Sequence, residues 1–172
     1  MLIRPAVLND YPNALSVLKA TVTQMHQNNL FNWTLKYPSA HQLKNDIIQG
    51  TLFIALLQGQ CAAIMTLDER QSIEYETVSW LSKATAVGFK CLVLHRLAVN
   101  PLFNRQGVGR KMLVFMENYA RKNQYTTIRF DVYEKSKGAI NLYEQQQYTR
   151  VGAVLFLHKG NNDAYYCYEK LL

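Results

Sequence analysis

The feature that most constrains this chain is the stretch Leu94 to Lys111, LHRLAVNPLFNRQGVGRK. The run from Phe89 to Val99 leading into it has the aliphatic and β-branched content of a buried strand. Asn100-Pro101 stops that strand. Two glycines follow, Gly107 and Gly109, flanked by Arg105, Arg110 and Lys111. From Val108 the apolar residues repeat at helical spacing. A strand, a basic glycine loop and a helix start turn backbone N–H groups and a helix N-terminus toward an anion, commonly a phosphate.

Two common phosphate motifs are excluded by residue. A dinucleotide fingerprint needs a third glycine three residues after the second, and Met112 stands there. A Walker loop needs Gly-Lys-Ser/Thr, whereas the chain reads Gly109-Arg110-Lys111-Met112.

The net charge of +7, from 19 basic and 12 acidic residues, favours an anionic partner. No run of five like charges and no nucleic-acid motif is present, so a phosphate-bearing small molecule is expected rather than nucleic acid. Cys61, Cys91 and Cys167 lie far apart in apolar segments, as buried free thiols do in a reducing compartment. The start MLIRPAVLND has no signal-peptide pattern, and no apolar run has bilayer-spanning length. A cytoplasmic protein without membrane contact is expected. His26, His41 and His158 show no metal-ligand spacing, so no metal is expected.

The remaining elements are read from periodicity and caps. Leu2 to Arg4 is a short strand. Asn9 or Asp10 caps a helix with the stripe Tyr11, Ala14, Leu15, Leu18, Val22 and Met25. Ser39-x-x-Gln42 opens a second helix that stops at Gly50. Leu52 to Leu57 and Cys61 to Leu67 form a hairpin across Gln58-Gly59-Gln60. Asp68 to Ala86 is a long loop with one helical turn. A helix from Val108 to Asn123, a strand from Thr126 to Tyr133 and a helix from Lys137 to Gln147 follow. Strands Tyr148 to Leu157 and Ala164 to Leu171, joined by the turn Gly160 to Asp163, complete the chain. The pattern predicts a single α+β domain, 1–172, with a mixed, mostly antiparallel sheet of about seven strands and about four helices. It is parallel where the helix after the glycine loop crosses over.

On two motifs the chain resembles the GNAT superfamily of acyl-CoA N-acyltransferases. Asn104-Arg105-Gln106-Gly107-Val108-Gly109 falls on that family's Gln/Arg-x-x-Gly-x-Gly/Ala motif, with Asn104 in place of Gln or Arg. Ser136 to Glu144, with Tyr148 beyond, falls in part on N-x-x-A-x-x-L/F-Y-E-x-x-G-F/Y, with Ser136 for Asn and Gln147 for Gly. The resemblance implies acetyl-CoA as co-substrate. Its pyrophosphate would lie on Asn104 to Arg110, its pantetheine arm would pair with the backbone of Leu97, Ala98 and Val99, and Ser136 and Ala139 would contribute from the second motif. It further implies direct N-acetyl transfer to a primary amine, on a small molecule or a peptide. A sensor or partner subunit that binds acyl-CoA without catalysis is the alternative.

Such chemistry needs a neutral amine, a stabilised thioester oxygen and a proton for the departing thiolate. Tyr143 matches the family tyrosine that protonates the sulfur; otherwise it is a core aromatic. His95 is either the base or a hydrogen-bonded structural histidine, and Glu76 is a second candidate on the acceptor side. Trp33 and Tyr37, between the first two helices, and Trp80, in the long loop, either line the acceptor pocket or cover the core. The aromatic last strand, with Tyr165, Tyr166 and Tyr168, belongs to the core of a monomer or to the edge of a homodimer.

Overall fold

The computed structural model describes residues 1–34, 36–156 and 162–172. His158, Leu157 and the Gly160-Asn161 half of the expected turn lie outside them. The elements follow in the order β1 (Leu2–Pro5), α1 (Tyr11–Gln27), α2 (Ala40–Ile48), β2 (Leu52–Leu57), β3 (Gln60–Asp68), β4 (Cys91–Val99), α3 (Val108–Lys122), β5 (Thr127–Tyr133), α4 (Lys137–Gln145), β6 (Thr149–Leu155) and β7 (Ala164–Leu171). The seven strands form one sheet in the order β1-β2-β3-β4-β5-β7-β6. β1 with β2, β2 with β3, β5 with β7 and β6 with β7 are antiparallel. β4 and β5 are parallel, as the α3 crossover between them requires.

The chain divides into two compact units, residues 1–67 with 96–112, and residues 68–95 with 113–172. In the first, Ala14, Val17, Leu18 and Val22 of α1 and Leu43 and Ile47 of α2 bury against Leu52, Ile54 and Ile64 of β2 and β3. Each of the valine, leucine and isoleucine side chains contributes about 1.5–3 kcal/mol by leaving water. Val17 belongs to this stripe in addition to the residues expected. The hairpin turn is tighter than Gln58-Gly59-Gln60. Leu57 pairs with Gln60, so Gln58 and Gly59 alone form the loop, at φ 52° and 76°. Two successive left-handed residues match the right-handed twist of the strands they join.

Helix ends show the local rules most clearly. Ser39 Oγ accepts from Gln42 N at 3.1 Å and caps α2. Asp10, expected to cap α1, makes no cap bond. Its carboxylate takes both arms of Arg4 at 2.6 and 2.9 Å and Val7 N at 2.8 Å, because a guanidinium fork is the stronger donor. All four helices end with the next-but-one residue left-handed: Asn29, Gly50, Gln124 and Gln147, at φ 58°, 69°, 61° and 61°. After each of these, an N–H returns to the helix: Leu30 to Met25 O, Thr51 to Asp46 O, Tyr125 to Ala120 O and Tyr148 to Tyr143 O. This is the Schellman pattern, which satisfies carbonyls the helix leaves open. No helix among the described residues is long and apolar enough to cross a membrane.

Candidate active site

The first unit carries the glycine loop. Asn100 closes β4 by donating from its backbone N to Ala62 O at 2.9 Å and from Nδ2 to Cys61 O at 3.2 Å. Its Oδ1 accepts from Leu102 N at 3.1 Å and starts a short 3₁₀ turn over Pro101–Phe103. Asn104 Nδ2 then donates to Gln24 Oε1 of α1 at 2.9 Å, and Gln106 Nε2 donates to Leu102 O at 3.2 Å. Both amides therefore brace the loop. The chain reverses through left-handed residues at Arg105 (φ 59°) and Gly107 (φ 73°).

Lys111 N donates to Gly107 O at 3.0 Å and closes the first turn of α3. The amides just before it belong to the set that no helix can satisfy internally. Val108 is buried and anchors the turn, while Arg105, Gly107, Arg110 and Lys111 are exposed. Backbone donors, a helix start and three exposed cations thus lie within one short stretch, suited to hold a diphosphate. A Cβ at Gly107 would meet nothing within 4 Å, so it is the left-handed φ that calls for glycine there. On β4, Ala98 is buried and Leu97 and Val99 are half-buried. Pairing of β4 with β5 covers Cys91↔Thr127, Leu92↔Ile128 and Val93↔Arg129. Among the described residues, Leu94 to Val99 have no partner in β5.

The second unit carries Tyr143. Its ring lies 4.3 Å from that of Phe130 and 6.2 Å from those of Tyr148 and Tyr168. The Schellman bond from Tyr148 N to Tyr143 O, at 3.1 Å, fixes its backbone. Gln147, standing where the motif has glycine, is the left-handed residue of that turn. The motif glycine is therefore a helix-stop requirement, met here by glutamine under strain. Burial, with a smaller contribution from the Asp131 carboxylate, pushes the Tyr143 hydroxyl well above its usual range. It keeps its proton at neutral pH. Ser136 precedes α4 without a side-chain cap bond, and Ser136 and Ala139 are half-buried at the start of that helix.

His95 Nε2 lies 2.6 Å from Asp68 Oδ1, and its side chain is 28% exposed. Asp68 also accepts from Arg70 N and Nε, both at 2.7 Å. Burial raises the Asp68 carboxyl, but the bonds from His95 and Arg70 outweigh it and hold it well below the usual range. The long loop contains one 3₁₀ turn, Ile73–Thr77, as expected. Glu76 is exposed on it. Tyr75 is buried and donates to Asp131 Oδ1 at 2.7 Å, and Trp80 Nε1 donates to Tyr75 O at 2.9 Å. Trp80 also covers the guanidinium of Arg129, 4.4 Å from its ring centroid.

In the first unit Trp33 packs half-buried against the core, its carbonyl 2.8 Å from His26 Nε2, whereas Tyr37 is 41% exposed. The three cysteines are free and buried, and burial pushes the thiols up, to about 11 for Cys61 and about 12 for Cys91 and Cys167. Two buried ion pairs escaped the sequence reading. Arg96 Nη2 meets Asp46 Oδ2 at 2.5 Å in the first unit, and Arg129 Nε meets Glu169 Oε1 at 3.0 Å in the second. A lone arginine within an apolar strand, as in HRLAV and TIRFDV, was the available signal. Asp68, at the end of β3, carried no such signal.

Comparison with known proteins converges on one family. The family model described as Acetyltransferase (GNAT) family matches residues 21–148. The chain is 26% identical over 151 residues to the uncharacterized N-acetyltransferase YesJ of Bacillus subtilis, covering 87% of this chain and 82% of that protein. Among solved structures, a GNAT-family acetyltransferase of Streptococcus agalactiae superposes with a TM-score of 0.81 at 17% identity, over 99% of this chain and 95% of that one. An N-acetyltransferase of Thermoplasma acidophilum, solved in complex with coenzyme A, superposes with a TM-score of 0.74 at 14% identity, over 99% and 98%.

Proposed function

The chain belongs to the GNAT acetyltransferase family, and from that premise we propose that it carries an acetyl group from acetyl-CoA directly to a primary amine. Acetyl transfer is the family's activity; the donor, the acceptor class and the residue roles are our reading. The observation that carries it is the exposed turn at Gly107, which leads into α3 among Arg105, Arg110 and Lys111. The diphosphate of acetyl-CoA would take the backbone N–H groups of Gln106 to Arg110, with Arg105 and Arg110 supplying charge. Its amide-bearing arm would add along the backbone of Leu97, Ala98 and Val99 as a short strand.

His95 takes a proton from the acceptor ammonium, and the neutral amine attacks the thioester carbonyl. As C–N forms and C–S breaks, the thiolate takes the hydroxyl proton of Tyr143. The second proton on nitrogen then returns to Tyr143, and His95 releases its own to solvent. The sum is acetyl-CoA plus ammonium giving amide, coenzyme A and one proton. Trp33, Tyr37, Glu76 and Trp80 are assigned to the acceptor side, and Ser136 and Ala139 to the cofactor. We treat 1–172 as one acyltransferase domain acting in the cytoplasm, without metal.

Thiol release from acetyl-CoA across a polyamine, an arylalkylamine, an alanine-ended peptide and a lysine peptide tests the reading. Saturable turnover with at least one amine is expected. Failure to bind acetyl-CoA, or to turn over any amine, overturns it.

A further inference from the structure

We propose that Asp68 is a positioning residue for the transfer: it holds His95 with Nε2–H donating to its carboxylate, leaving Nδ1 as the ring nitrogen that takes the acceptor's proton. The inference rests on the assignment of His95 as base. The geometry is specific. Asp68 Oδ1 lies 2.6 Å from His95 Nε2, while Oδ2 binds Arg70 Nε at 2.7 Å and Nη2 at 2.5 Å and Oδ1 also accepts from Arg70 N.

With a guanidinium on one oxygen, Asp68 is a carboxylate, and a carboxylate only accepts. The ring nitrogen facing it must therefore carry hydrogen. In the neutral imidazole the lone pair is then on Nδ1. The Asp68 side chain is 11% exposed and that of His95 28%, so the carboxylate is sheltered while the ring reaches solvent, where its proton can leave. Asp68 and His95 stand at the end of β3 and within β4, so both backbones are held by the sheet. A base on strands is held more precisely than one on a loop.

During the step, the lone pair on Nδ1 bonds the ammonium proton and the nitrogen keeps the N–H electron pair. Nε2–H stays bonded to Asp68 throughout, which keeps the ring in one orientation. No proton passes to the carboxylate.

Two readouts test this. A long-range ¹H–¹⁵N spectrum of His95 is expected to show Nε2 protonated and Nδ1 bare in the wild type. The preference should be lost in Asp68→Ala and partly kept in Asp68→Asn, which retains an acceptor. With acetyl-CoA and the best amine of the panel, Asp68→Ala is expected to lower kcat about tenfold or more while leaving KM for acetyl-CoA unchanged. Asp68→Asn should recover part of the loss. In a His95→Ala background, Asp68→Ala should cost nothing further.

A protonated Nδ1 in the wild type overturns the inference. So does full kcat in Asp68→Ala, or an undiminished loss on top of His95→Ala; in these cases the base assignment stands if His95→Ala alone is slow. Wild-type kcat in His95→Ala overturns the base assignment and this inference with it, and leaves acetyl transfer itself intact.

Discussion

Glu169 Oε1 accepts from Arg129 Nε at 3.0 Å, with Arg129 4% exposed and Glu169 fully buried. The pair gathers the loop between β3 and β4 around itself. Glu169 also accepts from Thr127 Oγ1 at 2.9 Å and from Leu81 N, Ser82 N and Ser82 Oγ. Arg129 donates to Gln71 Oε1 at 3.0 Å and Ser82 O at 2.8 Å. The loop is thereby tied to β5 and β7 at Gln71 and at Leu81-Ser82, on either side of Tyr75, Glu76 and Trp80.

Glu169→Gln leaves a buried guanidinium without its counter-charge. It is expected to lower stability by about 3–5 kcal/mol in urea unfolding. Trypsin should then cut after Lys83, which is exposed in that loop. A loss under about 1 kcal/mol with no new cleavage would show the loop to be held by other contacts.

Acid should act through the same group and through Asp68. Burial opposes ionisation of both, but donors from Ser82, Arg129 and Thr127 to Glu169, and from His95 and Arg70 to Asp68, hold both carboxyls below their ordinary values of 4.5 and 3.8. A group lowered by folding stabilises the fold above its ordinary value, and that contribution is lost as pH falls through its folded value. The Tm should therefore stay level near neutrality and decline as pH falls from about 4.5. The decline should be shallower in Glu169→Gln. A Tm that rises on acidification contradicts the assignment.

Gln147 sits left-handed at φ 61° in the turn that follows α4. A non-glycine residue there carries roughly 1–2 kcal/mol of strain. Gln147→Gly is expected to raise stability by about 1 kcal/mol, the usual glycine entropy penalty in the unfolded chain reducing the gain. Calorimetry showing a loss would place the restraint on Gln147 in its side chain instead.

Tyr143→Phe removes one hydroxyl from a ring packed on Phe130, Tyr148 and Tyr168. If that hydroxyl protonates the departing thiolate, kcat should fall about a hundredfold, with KM for acetyl-CoA and Tm little changed. An equal loss of acetyl-CoA affinity and kcat would identify Tyr143 as a binding aromatic.

Sequence alone determined the parts governed by neighbours along the chain. Helix stripes, the Ser39 cap, the stop at Gly50, the hairpin across Gln58-Gly59-Gln60 (narrowed in the structure to Gln58-Gly59) and the glycine loop all follow from local sterics and short-range hydrogen bonds. The family resemblance followed from that loop together with the Ser136 to Glu144 motif, because both are contiguous stretches of chain. Tertiary structure decided what depends on residues far apart in sequence. Asp10 left its cap for Arg4, Trp80 was drawn over Arg129, and Glu169 became the anchor of a loop some 87 residues earlier. Asp68 and His95, 27 residues apart, became a pair. A charged side chain's partner is set by whichever opposite charge the fold brings to it in a dry place, and no periodicity along the chain records that choice.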